Sequence, residues 1–138
     1  IPCLLIKNST NTLLIKECRD FQPDLIILAG YLKKIPIELT DFFKNKIINI
    51  HPSLLPKYGG QGMYGDNVHN QVLLNHEKET GITIHYVNEK YDSGEIIFQK
   101  KISLQNDETL NTIKAKIKNL EMKYFPIIIY QLLYVRNH

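Results

Sequence analysis

An α/β fold is what this sequence predicts: a mostly parallel sheet with an antiparallel hairpin toward its C-terminal end and a terminal helix. Three observations carry that expectation. Residues 24–30, Asp-Leu-Ile-Ile-Leu-Ala-Gly, form a near-continuous apolar run, the pattern of a central parallel strand buried on both faces. Residues 1–7 read as another strand, with a helix-period segment between the two, which makes a right-handed βαβ unit. Residues 81–88 and 95–103 are strand-like and meet through Ser93-Gly94, a turn signal that predicts a hairpin.

Each element has its own signal. After the polar break at residues 8–11, Ser9 or Thr10 is a candidate helix cap. Leu13, Leu14, Cys18 and Phe21 recur at helical spacing, and Pro23 ends that helix near Phe21. Gly30 closes the next strand, and residues 31–35 make a loop. Pro36 suits the first position of a helix. Ile37, Leu39, Phe42 and Phe43 would form its apolar face, and Asn45 would close it. Residues 46–50 read as a short buried strand ended by His51. Val68, Val72 and Leu73 predict a helix ending near Asn75. Asn106 or Asp107 caps the last helical region, whose stripe runs Leu110, Ile113, Ile117, Leu120, Tyr124. Pro126 is expected to break or kink it, with residues 127–135 continuing as a terminal helix.

The chain has 138 residues, enough for one domain with a sizeable core. Net charge is +3 and the lysines are scattered rather than striped, which does not argue for nucleic acid and would suit an anionic small molecule as well as anything. Cys3 and Cys18 match no metal or redox motif, so reduced thiols and a cytoplasmic location are expected. No apolar run approaches a membrane span. The first residues are already strand-like, so the expectation is a piece of a longer protein.

The stretch from Lys46 to Pro56 carries the chemistry. Asn49 and His51 lie two residues apart on a strand and point to one side. Pro52 and Pro56 forbid ordinary strand or helix just after them. One pocket at a strand's carboxyl end, the usual ligand side of an open α/β sheet, thus gains an amide donor and a proton-transfer group. Leu55-Pro56, in a tight turn, is expected to be cis. Residues 57–65 hold four glycines and read as a loop beside the site. Taken alone, Asp92 before Ser93-Gly94 reads as a turn residue, and Glu121 as a solvated helix carboxylate.

The order of residues 24–30, Asn49-Ile50-His51-Pro52-Ser53-Leu54-Leu55-Pro56 and the downstream Asp92 resembles the phosphoribosylglycinamide formyltransferases of the formyltransferase superfamily. The resemblance runs from Ile1 to about Leu133. It implies a Rossmann-like formyltransferase fold, with residues 1–138 forming the C-terminal two-thirds of a catalytic domain whose N-terminal β-α-β segment would precede Ile1. It implies transfer of a formyl group from 10-formyltetrahydrofolate to the amine of glycinamide ribonucleotide in purine biosynthesis, without a metal. It implies a catalytic triad of Asn49, His51 and Asp92, in which Asn49 and His51 stabilise a tetrahedral oxyanion and Asp92 raises the His51 pKa. The folate site would comprise Leu32, Lys33, Lys34, Ile35, Asn49, Asn88, Glu89, Lys90, Tyr91 and Asp92. Pro52 and Glu121 would meet the ribonucleotide, which reverses the bland reading of Glu121. His85 and His69 would support the site. The partners implied are these two small molecules, with room for a homodimer and none for nucleic acid or membrane.

Two departures accompany the resemblance. The loop at residues 59–65 is a few residues longer than in the commonest bacterial form. The family's opening strand and phosphate-holding turn would precede Ile1. Methionyl-tRNA formyltransferase and formyltetrahydrofolate deformylase share the three residues and remain alternatives. So does a folate- or nucleotide-binding module without catalysis.

Overall fold

A computed structural model of the chain describes residues 11–137. The expected strand at residues 1–7, the candidate caps Ser9 and Thr10, and Cys3 lie outside the described residues. Eight elements follow in order: α1 (Asn11–Phe21), β1 (Ile26–Leu28), α2 (Ile37–Phe42), β2 (Ile47–His51), α3 (Asp66–Leu74), β3 (Glu79–Tyr86), β4 (Ile96–Ser103) and α4 (Leu110–Asn137). The four strands form one sheet in the order β1-β2-β3-β4.

The α/β class holds. The described part of the sheet is mixed: β1 pairs parallel to β2, while β2–β3 and β3–β4 are antiparallel. The central strand expected at residues 24–30 is three residues long. Among the described residues it lies at the sheet edge, with Ile27 40% exposed. β2 is the strand buried on both faces. Ile47 packs with Ile35, Leu39 and Phe43, and Ile48 with Ile84 and Ile128 on the other side. A third cluster joins Val72 and Ile82 to Ile113 and Ile117, so α3 and α4 share the sheet face opposite α2.

Several expected boundaries and faces shift for local reasons. Pro36 is the N-cap of α2 rather than its first residue, with ψ 141°, because the extended backbone there precedes the first helical turn. Ile37 and Phe42 are exposed; Leu39 and Phe43 make the contact. In α1, Leu14, Ile15 and Cys18 pack inward, whereas Phe21 is exposed. β3 starts two residues earlier than predicted, at Glu79, because Glu79 and Thr80 pair with Ser103 and Ile102. Neither Asn106 nor Asp107 caps α4. Thr109 does, since its Oγ1 accepts the Thr112 N–H while Thr112 Oγ1 accepts the Thr109 N–H, a reciprocal cap. Pro126 does not break α4, which is assigned as one helix of 28 residues. The carbonyl left without its N–H partner belongs to Met122, a residue that is 68% exposed. Among the described residues no helix is long and apolar enough to cross a membrane.

Candidate active site

β2 and β3 place four polar side chains on one sheet face. Asn49 and His51 alternate with the apolar Ile48 and Ile50, and Thr83 and His85 alternate with Ile82 and Ile84. The antiparallel register sets Asn49 opposite His85 and His51 opposite Thr83. A register shift between Ile84 and His85 falls beside this point, and such irregularities re-aim side chains. His85 Nδ1 donates to the Tyr86 carbonyl at 2.8 Å, so its Nε2 is free to accept from Asn49 Nδ2 at 3.3 Å. The amide keeps its second N–H for another acceptor.

Asp92 enters from the β3–β4 loop. Asn88 Oδ1 accepts the Lys90 N–H at 2.9 Å and the Ser93 hydroxyl at 3.0 Å, tying the loop into a turn. Asp92 has φ 51°, so it is a turn residue as its context suggests. Its side chain is also only 11% exposed. Oδ1 lies 3.5 Å from His51 Nδ1 and 3.6 Å from His85 Nε2. Oδ2 accepts the Gly60 N–H at 2.9 Å, which joins the glycine-rich loop to the carboxylate.

His51 Nε2 stands 2.7 Å from the Tyr58 carbonyl oxygen. That oxygen only accepts, so Nε2 carries the hydrogen and Nδ1 faces Asp92. The neutral ring then turns a lone pair toward a carboxylate, whereas an imidazolium would donate in both directions. Asp92 does push the His51 pKa up, as expected, but it does not set the net direction. Burial lowers it and outweighs the Asp92 charge and the Tyr58 carbonyl, which raise it, so the net direction is downward. For Asp92 itself, burial works upward. The His85 contact, the Gly60 N–H and the imidazoles together outweigh that, and its pKa falls below the ordinary value.

The segment between His51 and Tyr58 is fixed from beneath by a buried hydroxyl. Thr83 Oγ1 donates to the Ser53 carbonyl at 2.7 Å and accepts the Leu55 N–H at 3.0 Å. Gln99 Nε2 donates to the Leu55 carbonyl at 2.9 Å and to Thr83 Oγ1 at 2.8 Å. Leu55-Pro56 is cis, as expected. An added Cβ at Gly59 would stand 2.5 Å from Leu55 Cδ2 and 3.2 Å from Asp92 Cβ, so any larger residue there must displace the Leu55 side chain.

Two clefts meet at these residues. The larger, ≈ 820 Å³, is lined by Asn49, His51, Pro52 and Asp92, by Leu32, by the loop from Gly60 to Gly65 and by Glu121 and Phe125 of α4. The smaller, ≈ 60 Å³, is lined by Lys33, Lys34 and Ile35, by Asn88, Lys90 and Tyr91, and by His85. Asn49 and Asp92 line both. Burial raises the Glu121 pKa. Glu89 lines neither cleft. His69 also lines neither; it is buried in α3, and among the described residues its Nδ1 has no hydrogen-bond partner. Among the described residues no cluster of three His, Cys, Asp or Glu is disposed to hold a metal ion. Sequence reasoning missed Thr83, Gln99, the Gly60 amide and the Tyr58 carbonyl. Only Thr83 left a trace, as a polar residue in phase with His85.

The formyl transferase family model matches residues 6–129. The chain is 43% identical over 124 residues to the phosphoribosylglycinamide formyltransferase of Bacillus subtilis, covering 90% of this chain and 61% of that protein. It is 42% identical over 112 residues to the chloroplastic phosphoribosylglycinamide formyltransferase of Vigna unguiculata, covering 81% of this chain and 36% of that one. Among solved structures, the phosphoribosylglycinamide formyltransferase of Bacillus halodurans superposes with a TM-score of 0.80 at 34% identity, over 88% of this chain and 60% of that one. The chain thus spans less than two thirds of the length of these relatives. A family match across residues 6–129 of 138, on a fold that brings Asn49 and His51 of β2 together with Asp92 of the β3–β4 loop, shows that the chain belongs to the formyl transferase family.

Proposed function

We propose that this chain, residues 1–138, is the C-terminal two-thirds of the catalytic domain of a phosphoribosylglycinamide formyltransferase. It would move the formyl group of 10-formyltetrahydrofolate to the amine of glycinamide ribonucleotide. The observation that carries this reading is the meeting of Asn49, His51 and Asp92 where the two clefts join. The larger cleft would take the ribonucleotide, with Pro52 and Glu121 at its amine end. The folate ring would lie beside the smaller cleft, against Lys33, Lys34, Ile35, Asn88, Lys90 and Tyr91, with Leu32 at the mouth. Glu89, on the same loop, would act only through the turn it belongs to. His69 would support the site from α3.

The low His51 pKa sets the order of proton steps. At neutral pH the ring begins uncharged. As the amine attacks the formyl carbon, the free Asn49 N–H donates to the developing oxyanion. The attacking nitrogen must lose one proton, and the departing folate nitrogen must gain one. His51 Nδ1 takes up the first as general base. The imidazolium so formed then donates to Asp92 on one side and the Tyr58 carbonyl on the other. The same proton passes to the leaving nitrogen, so His51 ends neutral and the balance closes. His85 holds the Asn49 amide in place throughout.

Replacing His51 or Asp92 by Ala should abolish formyl transfer while the far-ultraviolet circular dichroism stays that of the wild type. Full activity in either variant would remove the proposed mechanism.

A further inference from the structure

We propose that Tyr58 and Glu77 are positioning residues for His51. The Tyr58 phenol, fastened to Glu77, holds its own backbone carbonyl on the imidazole and so decides which ring nitrogen carries the hydrogen. The inference rests on the reading above only in giving His51 proton work to do. The hydrogen-bond chain itself stands without any substrate.

Tyr58 has φ 56°, a left-handed backbone that residues with a Cβ rarely adopt. Something must hold it there. Its hydroxyl donates to Glu77 Oε1 at 2.8 Å, and Lys57 Nζ donates to the same oxygen at 2.9 Å. The Lys57 carbonyl is tied in turn by the Ser53 hydroxyl at 2.7 Å. Glu77 is anchored by its own N–H to the Val72 carbonyl, where α3 leads into β3. The Tyr58 ring packs against the cluster of Val72, Ile82, Ile113 and Ile117. Neither Tyr58 nor Glu77 lines the large cleft, so neither is placed to touch substrate there.

The consequence falls on His51. With Nε2–H committed to Tyr58 at 2.7 Å, Nδ1 is left as the accepting nitrogen. Without that commitment the other tautomer becomes favourable. Nδ1–H would then donate to the Asp92 carboxylate 3.5 Å away, a stronger acceptor than a peptide carbonyl. Nδ1 would no longer be free to take a proton. The Tyr58–Glu77 contact therefore keeps the ring in the form the reaction needs.

The test is nitrogen-15 NMR of the His51 ring in the substrate-free protein at a pH where the ring is neutral, assigned with His51→Asn. The wild type should show the Nε2–H tautomer. Glu77→Ala and Tyr58→Phe should shift the population toward Nδ1–H. Glu77→Gln keeps an oxygen for the phenol and should retain Nε2–H. In steady-state formyl transfer, Glu77→Ala should lose about ten-fold or more in kcat with little change in KM, and Glu77→Gln should recover most of it. An Nδ1–H tautomer in the wild type would overturn the proposal, and so would an unchanged tautomer in Tyr58→Phe. The wild-type spectrum decides even if Glu77→Ala fails to fold. Because that spectrum needs no substrate, its failure is distinct from a failure of formyl transfer.

Discussion

His51 is 4% exposed, and that burial decides its charge before any neighbour does. Asp92 at 3.5 Å pulls the pKa up, yet loss of hydration pulls it further down. His69 is lowered by burial in the same way. The sign for stability follows from proton counting. As pH falls below the ordinary histidine value, the unfolded chain binds protons that the folded chain refuses, so acid destabilises the fold. Glu121, raised by burial, works in the opposite sense from its ordinary value upward, and Asp92 only at much lower pH. Thermal melts at about pH 7.5 and about pH 6 should therefore give the lower Tm at the acidic value. An equal or higher Tm there would contradict the dominance of burial over the carboxylate. This part of the site was hidden in the sequence. An Asp and a His can be read as a pair, but the water each loses depends on chain segments that arrive from elsewhere.

At the scale of elements, the β2–β3 pair is what assembles the polar face. The alternation of Asn49 and His51 with isoleucines was legible, because a strand's period of two is local. The pairing of Asn49 with His85 was not. It depends on an antiparallel register, and a slip of one residue would turn every side chain to the other face. The same applies to Thr83, whose hydroxyl serves Ser53, Leu55 and Gln99 at once. Thr83→Val keeps the shape and removes the oxygen, leaving the buried Leu55 N–H and Ser53 carbonyl without their partner. It should cost about 1–3 kcal/mol in chemical denaturation. It should also lower formyl transfer, since the segment that follows His51 loses its support. Stability equal to the wild type would show that water replaces the hydroxyl. The length of β1 and the continuity of α4 were misjudged for a related reason. Apolar runs and a proline report local preference, while pairing partners and solvent exposure decide where an element ends.

For the molecule as a whole, the α/β class followed from the order of elements, and the family from a short run of residues around His51. What joined them was the convergence of two connections, β2–α3 and β3–β4, at the end of β2. The Pro52–Tyr58 segment supplies a carbonyl to His51, the glycine-rich loop an N–H to Asp92, and the Asn88–Ser93 turn the carboxylate itself. In isolation only the Pro52–Pro56 part stood out, while the glycine-rich part and the Asp92 turn looked ordinary. Together they leave one amide donor, one buried imidazole and one carboxylate around a common point between two clefts of unequal size. That arrangement suits a group passing from one bound molecule to another, with one proton carried across. The most direct measurement follows the formyl carbon itself. The purified full-length protein is given carbon-13-formyl-labelled 10-formyltetrahydrofolate, with and without glycinamide ribonucleotide. The label should appear in the new amide of the ribonucleotide, and formate should stay at the background rate when the acceptor is withheld. Formate release at a similar rate with or without the acceptor would mean that water, not the amine, takes the formyl group, and would contradict the assignment.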